Sequence, residues 1–91
     1  MWFVYIIQAK DGKLYTGITT DIKRRLAEHS SGRGAKWTRS RGPFKLRHKE
    51  KMSARSGALK REAAIKRLDR KSKLRLIKRG ISRKTTTYDV L

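Results

Sequence analysis

The feature that most constrains the fold is one short apolar run near the start of the chain. Residues 2–7 are Trp-Phe-Val-Tyr-Ile-Ile, the longest apolar run among the 91 residues. Its β-branched and aromatic side chains predict a strand over residues 2–8. Asp11-Gly12 predicts a hairpin turn, and residues 13–18 are the predicted returning strand. With so few residues, the chain has room for one small domain with a thin core.

Alternation along these two strands predicts which side chains share a face of the sheet. Phe3, Tyr5 and Ile7 are expected on one face of the first strand. Tyr15 and Gly17 are expected together on one face of the second strand. The hairpin therefore separates its side chains into two sets.

The remaining segments predict one strand and three helices. In chain order they are a helix over 22–30 capped by Asp21, a loop over 30–42, a strand over 44–50, a helix over 54–68 capped by Ser53, and a short helix that ends at Arg79 with Gly80 at its C′ position. This order predicts an α/β fold, with a three-stranded, mostly antiparallel sheet flanked by helices. We expect residues 1–82 to form the domain and residues 83–91 to be a disordered tail.

The charge of the chain points to a polyanionic partner. Lys and Arg number 26 against 7 Asp and Glu, which gives a formal net charge of +19. Residues 1–22 sum to zero, so the whole excess lies in residues 23–91. A charge of this size repels itself, and the phosphates of nucleic acid are the partner that best offsets it. A merely soluble basic surface is the alternative.

Several classes of protein are disfavoured by composition. The chain has no Cys, which excludes disulfides and cysteine zinc sites. The apolar run over 2–7 is too short to span a membrane, and no signal-peptide pattern surrounds it. We therefore expect a cytoplasmic protein with no membrane partner.

Glu62 is the most unusual acidic residue. In a helix over 54–68, its neighbours three and four positions away include Ala58, Leu59 and Ile65, so a carboxylate lies within an apolar stripe. An unpaired buried charge is costly, so Glu62 needs a cation. A salt bridge to Lys66 or to an Arg satisfies this need, and so does a metal ion.

Four other residues suit either a structural or a chemical role. Arg25 and His29 lie one helical turn apart on an apolar-leaning stripe, where the Arg stem can cover apolar surface. Tyr5 and Tyr15 are residue types favoured in strands. If the four converge with Glu62, they supply what phosphodiester hydrolysis requires: a base, a cation near the phosphate and a metal-binding carboxylate. A lone carboxylate suits Mg²⁺ or Mn²⁺.

The same residues carry a family resemblance over about residues 2–80. The chain resembles the GIY-YIG endonuclease superfamily, most closely its small stand-alone bacterial members of the UPF0213 type. The segments that carry the resemblance are Phe3-Val4-Tyr5, Tyr15-Thr16-Gly17, residues 20–29, residues 34–38 and residues 58–66.

The resemblance implies a role for each matching residue. Tyr5 matches the general base or the residue that positions the water, and Tyr15 matches a tyrosine near the scissile phosphate. Gly17 matches the glycine that lets the backbone pass close to the site. Arg25 matches the phosphate-binding arginine. His29 matches a residue that helps to activate the base. Glu62 matches the carboxylate that binds one divalent metal ion, Mg²⁺ or Mn²⁺.

The chain departs from the family pattern in two places. Phe3 replaces the first glycine of the half-motif, which affects the strand more than the chemistry. Ile18 follows Gly17 where several nuclease branches have a Lys, so less positive charge is available near the phosphate.

The expected nucleic-acid contacts extend beyond the catalytic set. They are Gly17, Lys23, Arg24, Arg33, Lys36, Trp37, Arg39, Arg41 and Lys66. Trp37 either stacks on a base, contacts a partner protein or packs against the sheet edge. No targeting domain is expected in a chain of this length, so a partner protein would have to supply sequence specificity.

Two functions from different classes follow from this sequence. One is a metal-dependent endonuclease that hydrolyses phosphodiester bonds in DNA, at branched, damaged or single-stranded sites, with RNA as the less favoured nucleic acid. The alternative is a non-catalytic basic module that binds nucleic acid, or an accessory protein in a repair or recombination complex.

Overall fold

A computed structural model of the chain describes residues 1–31 and 42–83, with side chains as far as Arg79. The elements are β1 (Trp2–Gln8), β2 (Leu14–Thr19), α1 (Ile22–Ser30), β3 (Lys45–Met52), α2 (Arg55–Lys66) and α3 (Arg70–Arg83). The three strands form one sheet in the order β2-β1-β3, and both pairings are antiparallel. The predicted α/β fold is confirmed, and the described sheet is wholly antiparallel.

The β1–β2 hairpin closes at the predicted Asp11-Gly12 turn. Gly12 has a φ of +90°, a left-handed conformation that costs glycine little. The Ala9 amide donates to the Lys13 carbonyl at 2.8 Å, and the Gly12 amide donates to the Ala9 carbonyl at 2.9 Å. The Lys13 amide also donates to Asp11 Oδ1 at 3.1 Å. These bonds fix the register in which Tyr5 pairs with Gly17.

The sheet is covered on both faces, which explains why β1 is apolar at almost every position. One face carries a first core cluster, formed by Tyr5, Ile7, Ala9, Leu26, Phe44 and Leu46. The other face carries a second cluster, formed by Val4, Ile6, Ala58, Ile65 and Ile77. Helix α1 therefore packs on the Tyr5 face, while α2 and α3 pack on the Val4 face. The predicted separation of hairpin side chains is confirmed.

A β-bulge in β3 changes the pattern expected from alternation. Ile6 pairs with His48 and Ile7 pairs with Leu46, so Arg47 is an extra residue. Leu46 joins the Tyr5 face, whereas His48 lies on the opposite face beside Ile6. Strict alternation along β3 puts Leu46 and His48 on one face of a sheet, but the bulge adds a residue between them and sends them to opposite faces.

Two predicted helix boundaries are wrong and one is confirmed. Asp21 caps α1, since its Oδ1 accepts from the Arg24 amide at 3.0 Å. Ala54, not Ser53, is the N-cap residue of α2, and it makes no side-chain capping bond. Helix α3 continues through Gly80 to Arg83, because one glycine costs a helix only about 1 kcal/mol and does not have to end it. The rest of the predicted tail lies outside the described residues.

Three polar side chains fasten α2 to the edge strand β3. Glu50 Oε1 accepts from Arg61 Nε at 2.7 Å, and Glu50 Oε2 accepts from the Arg61 guanidinium at 3.0 Å. Glu50 Oε2 also lies 2.7 Å from His48 Nε2. The bond to His48 and the pair with Arg61 lower the pKa of Glu50 to about 2. Because Arg61 precedes Glu62, this clamp also fixes the rotation of the helix that presents Glu62.

We expect Glu50→Gln to lower the free energy of unfolding by about 1–3 kcal/mol at pH 7, because it weakens a bidentate, partly buried ion pair. The lowered pKa means that this stabilisation is present above pH 4.5 and is lost as the pH falls towards 2. Urea unfolding at several pH values measures both effects. Glu28→Gln is the matched control, because Glu28 forms a more exposed pair worth less than about 1 kcal/mol. Equal losses in the two variants would contradict the clamp.

Candidate active site

Tyr5 lies against the backbone of β2 at Gly17. A Cβ atom at position 17 would lie 2.5 Å from the Tyr5 hydroxyl oxygen and 2.8 Å from Tyr5 Cζ. Such distances are too short for any real side chain, so the ring occupies space that only glycine leaves open. The β2 backbone at Gly17 therefore passes directly beside the Tyr5 ring, while the role at the site that the resemblance implies for Gly17 stays a prediction.

The Tyr5 hydroxyl is buried and bonded to a residue of α1. Tyr5 and His29 are each 1% exposed, and Tyr5 Oη lies 2.9 Å from His29 Nε2. Tyr15 completes the group: its ring centroid is 6.5 Å from that of Tyr5 and 5.4 Å from that of His29, with an edge-on geometry to the imidazole. Two strands and one helix thus bring these three rings together.

The connection between β2 and α1 determines where Arg25 and His29 lie. The Thr19 hydroxyl accepts from the Asp21 amide at 3.1 Å and donates to the Asp21 carbonyl at 3.2 Å. Asp21 then caps α1, which fixes the angle at which the helix leaves the sheet. Arg25 and His29 are one turn apart, so both face the Tyr5 side of the sheet.

Arg25 is a partly exposed cation on the same side of the sheet as the rings of Tyr5, Tyr15 and His29. Its Nη1 donates to Glu28 Oε1 at 3.1 Å, and its guanidinium lies near enough to the Tyr5 hydroxyl to act on the pKa of that group. A guanidinium carries only donors, so Arg25 presents positive charge to the Tyr5 oxygen.

Burial keeps both partners of the Tyr5–His29 bond uncharged at neutral pH. Desolvation raises the pKa of Tyr5 to about 12, and the negative charge of Glu62 adds to the rise, although Arg25 opposes it. Desolvation and the positive charge of Arg25 lower the pKa of His29 to about 4. The bond therefore joins a neutral phenol to a neutral imidazole.

Glu62 reaches the same site from α2. Its side chain is 18% exposed, and Oε2 lies 3.4 Å from Lys66 Nζ. Its charge contributes to the raised pKa of Tyr5, so the two groups are within electrostatic reach of each other. The Lys66 salt bridge that the sequence left open is thus present. Among the described residues there is no group of three His, Cys, Asp or Glu able to hold a metal ion.

A protein-family comparison matches residues 1–75 of the chain to the GIY-YIG catalytic domain. The chain belongs to the GIY-YIG family. This family is one of nucleases, and GIY-YIG nucleases generally use divalent metal ions. The resemblance seen in the sequence is therefore confirmed.

Relatives of known sequence and structure agree with this assignment. The chain is 52% identical over 82 residues to a UPF0213 protein of Syntrophus aciditrophicus, covering 89% of this chain and 94% of the relative. It is 52% identical over 73 residues to a UPF0213 protein of Halobacterium salinarum, covering 80% and 95% of the two chains. The solution NMR structure of a UPF0213 protein from Bacillus halodurans is similar, with a TM-score of 0.56, 44% identity and coverage of 86% and 84%.

Outside the GIY-YIG motif residues, the predicted nucleic-acid contacts fall into two groups. Lys23 and Arg24 are exposed on α1, and Lys66 is exposed on α2 beside Glu62. The remaining residues lie outside the described part of the chain; they are Arg33, Lys36, Trp37, Arg39 and Arg41. No helix in residues 1–31 or 42–83 is long and apolar enough to cross a membrane.

The sequence did not identify two residues that shape this GIY-YIG site. Glu28 holds the Arg25 guanidinium, and the spacing of three residues on one helix was a signal that could have found it. Phe44 packs against His29 with ring centroids 6.1 Å apart. No local pattern connects Phe44 to α1, because only the fold brings the start of β3 under that helix.

We expect Gly17→Ala to lower the free energy of unfolding by about 1–3 kcal/mol and to displace the Tyr5 ring, since the new methyl group overlaps it. Thermal unfolding and the NMR shifts of Tyr5 and His29 measure the two effects. Gly57→Ala is the matched control: nothing lies within 4 Å of a Cβ there, and alanine favours a helix. We expect it to stabilise α2 by up to about 1 kcal/mol. Comparable destabilisation by both substitutions would be inconsistent with the Tyr5 contact.

The lowered pKa of His29 predicts a loss of stability in mild acid. The neutral imidazole stabilises the fold fully above pH 6.5, and this contribution disappears as the pH falls from 6.5 to about 4. The expected loss is about 2–3 kcal/mol. Urea unfolding from pH 7 to pH 4 measures it, with His29→Gln expected to show a flatter dependence over that interval. If His29→Gln keeps the slope of the wild type, His29 is not the titrating group.

Proposed function

We propose that this protein is a metal-dependent endonuclease that hydrolyses phosphodiester bonds in DNA. The observation that carries the proposal is the hydrogen-bonded pair of Tyr5 and His29, with Arg25 and Tyr15 beside it and Glu62 within electrostatic reach. Each member of this group suits one requirement of phosphodiester hydrolysis. Family membership supports nuclease chemistry in general.

Arg25 and Tyr15 are the residues that would meet the phosphate. Both are partly exposed, whereas Tyr5 and His29 lie beneath them. When Arg25 contacts a phosphate oxygen, it exchanges part of its pairing with Glu28 for a stronger anionic partner. The same contact stabilises the negative charge that develops on the phosphoryl group during attack.

Tyr5 and His29 would relay a proton away from the attacking water. The water oxygen bonds to phosphorus, and the bond from phosphorus to one sugar oxygen breaks. The water proton passes to Tyr5 Oη as the Tyr5 proton passes to His29 Nε2, and the leaving oxygen takes a proton from solvent. The relay avoids a free tyrosinate, which is unfavourable because the pKa of Tyr5 is raised to about 12.

Substrate binding would itself prepare His29 for this step. In the free protein the positive charge of Arg25 contributes to the low pKa of His29. A phosphate bound to Arg25 offsets that charge, so the pKa of His29 rises and the imidazole accepts a proton more readily. Proton transfer is thereby favoured only when the substrate is in place.

Glu62 is the residue that would hold the divalent ion. A single carboxylate fits Mg²⁺ or Mn²⁺, since Mg²⁺ commonly keeps several waters and binds through one or two carboxylates together with substrate phosphates. The partial exposure of Glu62 leaves room for such waters, and Lys66 would have to release Oε2. When bound, the ion would polarise a phosphate oxygen and stabilise the leaving group.

A second candidate function is a basic module that binds DNA or RNA without cutting it, either alone or as an accessory protein. Two observations favour it. Lys66 already neutralises Glu62. Ile18 stands where several related nucleases have Lys, and its side chain packs into the second core cluster instead. In this case binding would weaken with rising salt but would be independent of Glu62.

Cleavage assays distinguish the two functions. We expect purified wild-type protein with Mg²⁺ or Mn²⁺ to cut labelled branched or linear DNA, and Glu62→Gln to lose at least a hundredfold in rate because the carboxylate charge is removed. Asp11→Asn, which removes one charge at the hairpin turn, is the matched control and should retain the activity. Wild-type cleavage no greater than that of Glu62→Gln would refute the endonuclease proposal and leave the binding module.

A further inference from the structure

A basic groove lies between α2 and α3, on the face of the sheet opposite Tyr5. It has a volume of about 380 Å³ and is lined by Arg61, Leu68, Ser72, Arg75, Leu76 and Arg79. Three of these six residues are arginines and none is acidic. The groove thus offers planar cationic groups above a partly apolar floor.

Three of the four polar residues of the groove lie on one stripe of α3. Ser72, Arg75 and Arg79 are spaced three and four residues apart, which places them on the same side of the helix. Arg75 Nη2 donates to the Ser72 hydroxyl at 3.2 Å, which orients its guanidinium along this stripe. The guanidinium groups of Arg75 and Arg79 lie one helical turn apart along α3. They therefore match successive phosphates of a nucleic-acid strand that runs along the helix.

The acidic groups near the groove are already engaged. Residues 55–79 contain eleven Lys and Arg but only two acids, Glu62 and Asp69. Glu62 pairs with Lys66, and Asp69 Oδ1 accepts from the Ser72 amide at 2.8 Å as α3 begins. Glu50, the nearest acid of β3, is bound to Arg61 and His48. Within residues 55–79 the positive charges therefore outnumber the negative ones by nine.

The groove is separate from the Tyr5 site. Arg61 and Glu62 are consecutive on α2 and so project about 100° apart. Arg61 reaches Glu50 on β3, whereas Glu62 acts on Tyr5, which pairs with Gly17 of β2. Strands β2 and β3 are the two edges of the sheet. The groove and the proposed metal-binding carboxylate thus lie on different sides of α2.

We propose that this groove is a second nucleic-acid-binding surface, which holds the phosphate backbone of a segment other than the one at Tyr5. The choice of nucleic acid as the ligand rests on the proposed function. Arginine suits phosphate because its planar fork donates two parallel hydrogen bonds. Leu68 and Leu76 supply apolar contact for the sugars. A protein with two such surfaces holds two segments at once, either two duplexes or two arms of one branched molecule.

A bridging assay tests this proposal without requiring cleavage. Two short duplexes carrying different fluorophores are mixed with protein in EDTA, with DNA in excess, and energy transfer between them is measured. Wild-type protein, shown to be a monomer by light scattering, should bring the duplexes together. Arg75→Gln combined with Arg79→Gln should abolish bridging, while binding to a single duplex persists and is about tenfold weaker. The slope of the logarithm of the binding constant against the logarithm of the salt concentration should fall in magnitude by about 1–2.

The matched control is Lys10→Gln combined with Lys45→Gln. These exposed residues give the same change of charge far from the groove, and this variant should bridge like the wild type. Circular dichroism establishes that both variants are folded. Failure of wild-type protein to bridge, bridging by the Arg75/Arg79 variant, or equal loss in the control overturns the proposal. The proposal is also overturned if the Arg75/Arg79 variant loses binding only to phosphatidylserine vesicles and still binds and bridges DNA like the wild type.

The bridging result and the cleavage result are independent of each other. Bridging is measured in EDTA, where Glu62 has no metal to bind, and the groove variant leaves Tyr5, Arg25 and Glu62 unchanged. Cleavage without bridging would reject the groove and retain the endonuclease. Bridging without Glu62-dependent cleavage would retain the groove and leave a binding module.

Discussion

The contact between the Tyr5 ring and the backbone at Gly17 is the constraint on which the rest of the site depends. Since no side chain fits at position 17, the Tyr5 hydroxyl lies over β2 rather than turning towards solvent. In that place it lies 2.9 Å from His29 Nε2, and the guanidinium of Arg25 acts on its pKa. The same burial that positions the hydroxyl keeps its proton on the oxygen until a neighbour takes it. The lack of a side chain at Gly17 therefore determines both where the Tyr5 ring packs and how strongly its hydroxyl holds its proton.

A second constraint is the ion pair that holds α2 against β3. Glu50 is bound by Arg61 and His48 on the face of the sheet opposite Tyr5. Because consecutive helical residues project about 100° apart, fixing Arg61 also fixes Glu62. The clamp on one face thus determines where the site on the other face receives its carboxylate. In a domain whose core is only a few side chains thick, a polar contact of this kind takes on positioning work that a larger core would share.

Charge has three distinct uses in this fold. A few charged groups make contacts within the protein: Glu50 pairs with Arg61, Glu28 pairs with Arg25, and Asp21 caps a helix. Arg25 and Glu62 belong to the proposed catalytic site. The larger remainder is surface cation, concentrated in α2 and α3, and the net charge of +19 reflects mainly this set. Composition alone indicates a polyanionic partner but does not separate the three uses, because they differ only in what each side chain touches.

The sequence by itself determined the order of the elements, the two faces of the β1–β2 hairpin, the cap at Asp21 and the family, since these depend on local patterns and on motif residues in a fixed order. The tertiary structure alone decided the rest. Alternation does not reveal the β-bulge at Arg47, which sends His48 to the second face. Nor does a glycine at position 80 end α3, because its cost is small beside that of interrupting a helix. The overlap of Tyr5 with Gly17, the Glu50 clamp and the groove of α3 join residues far apart in the chain, and such contacts exist only once the sheet has brought them together.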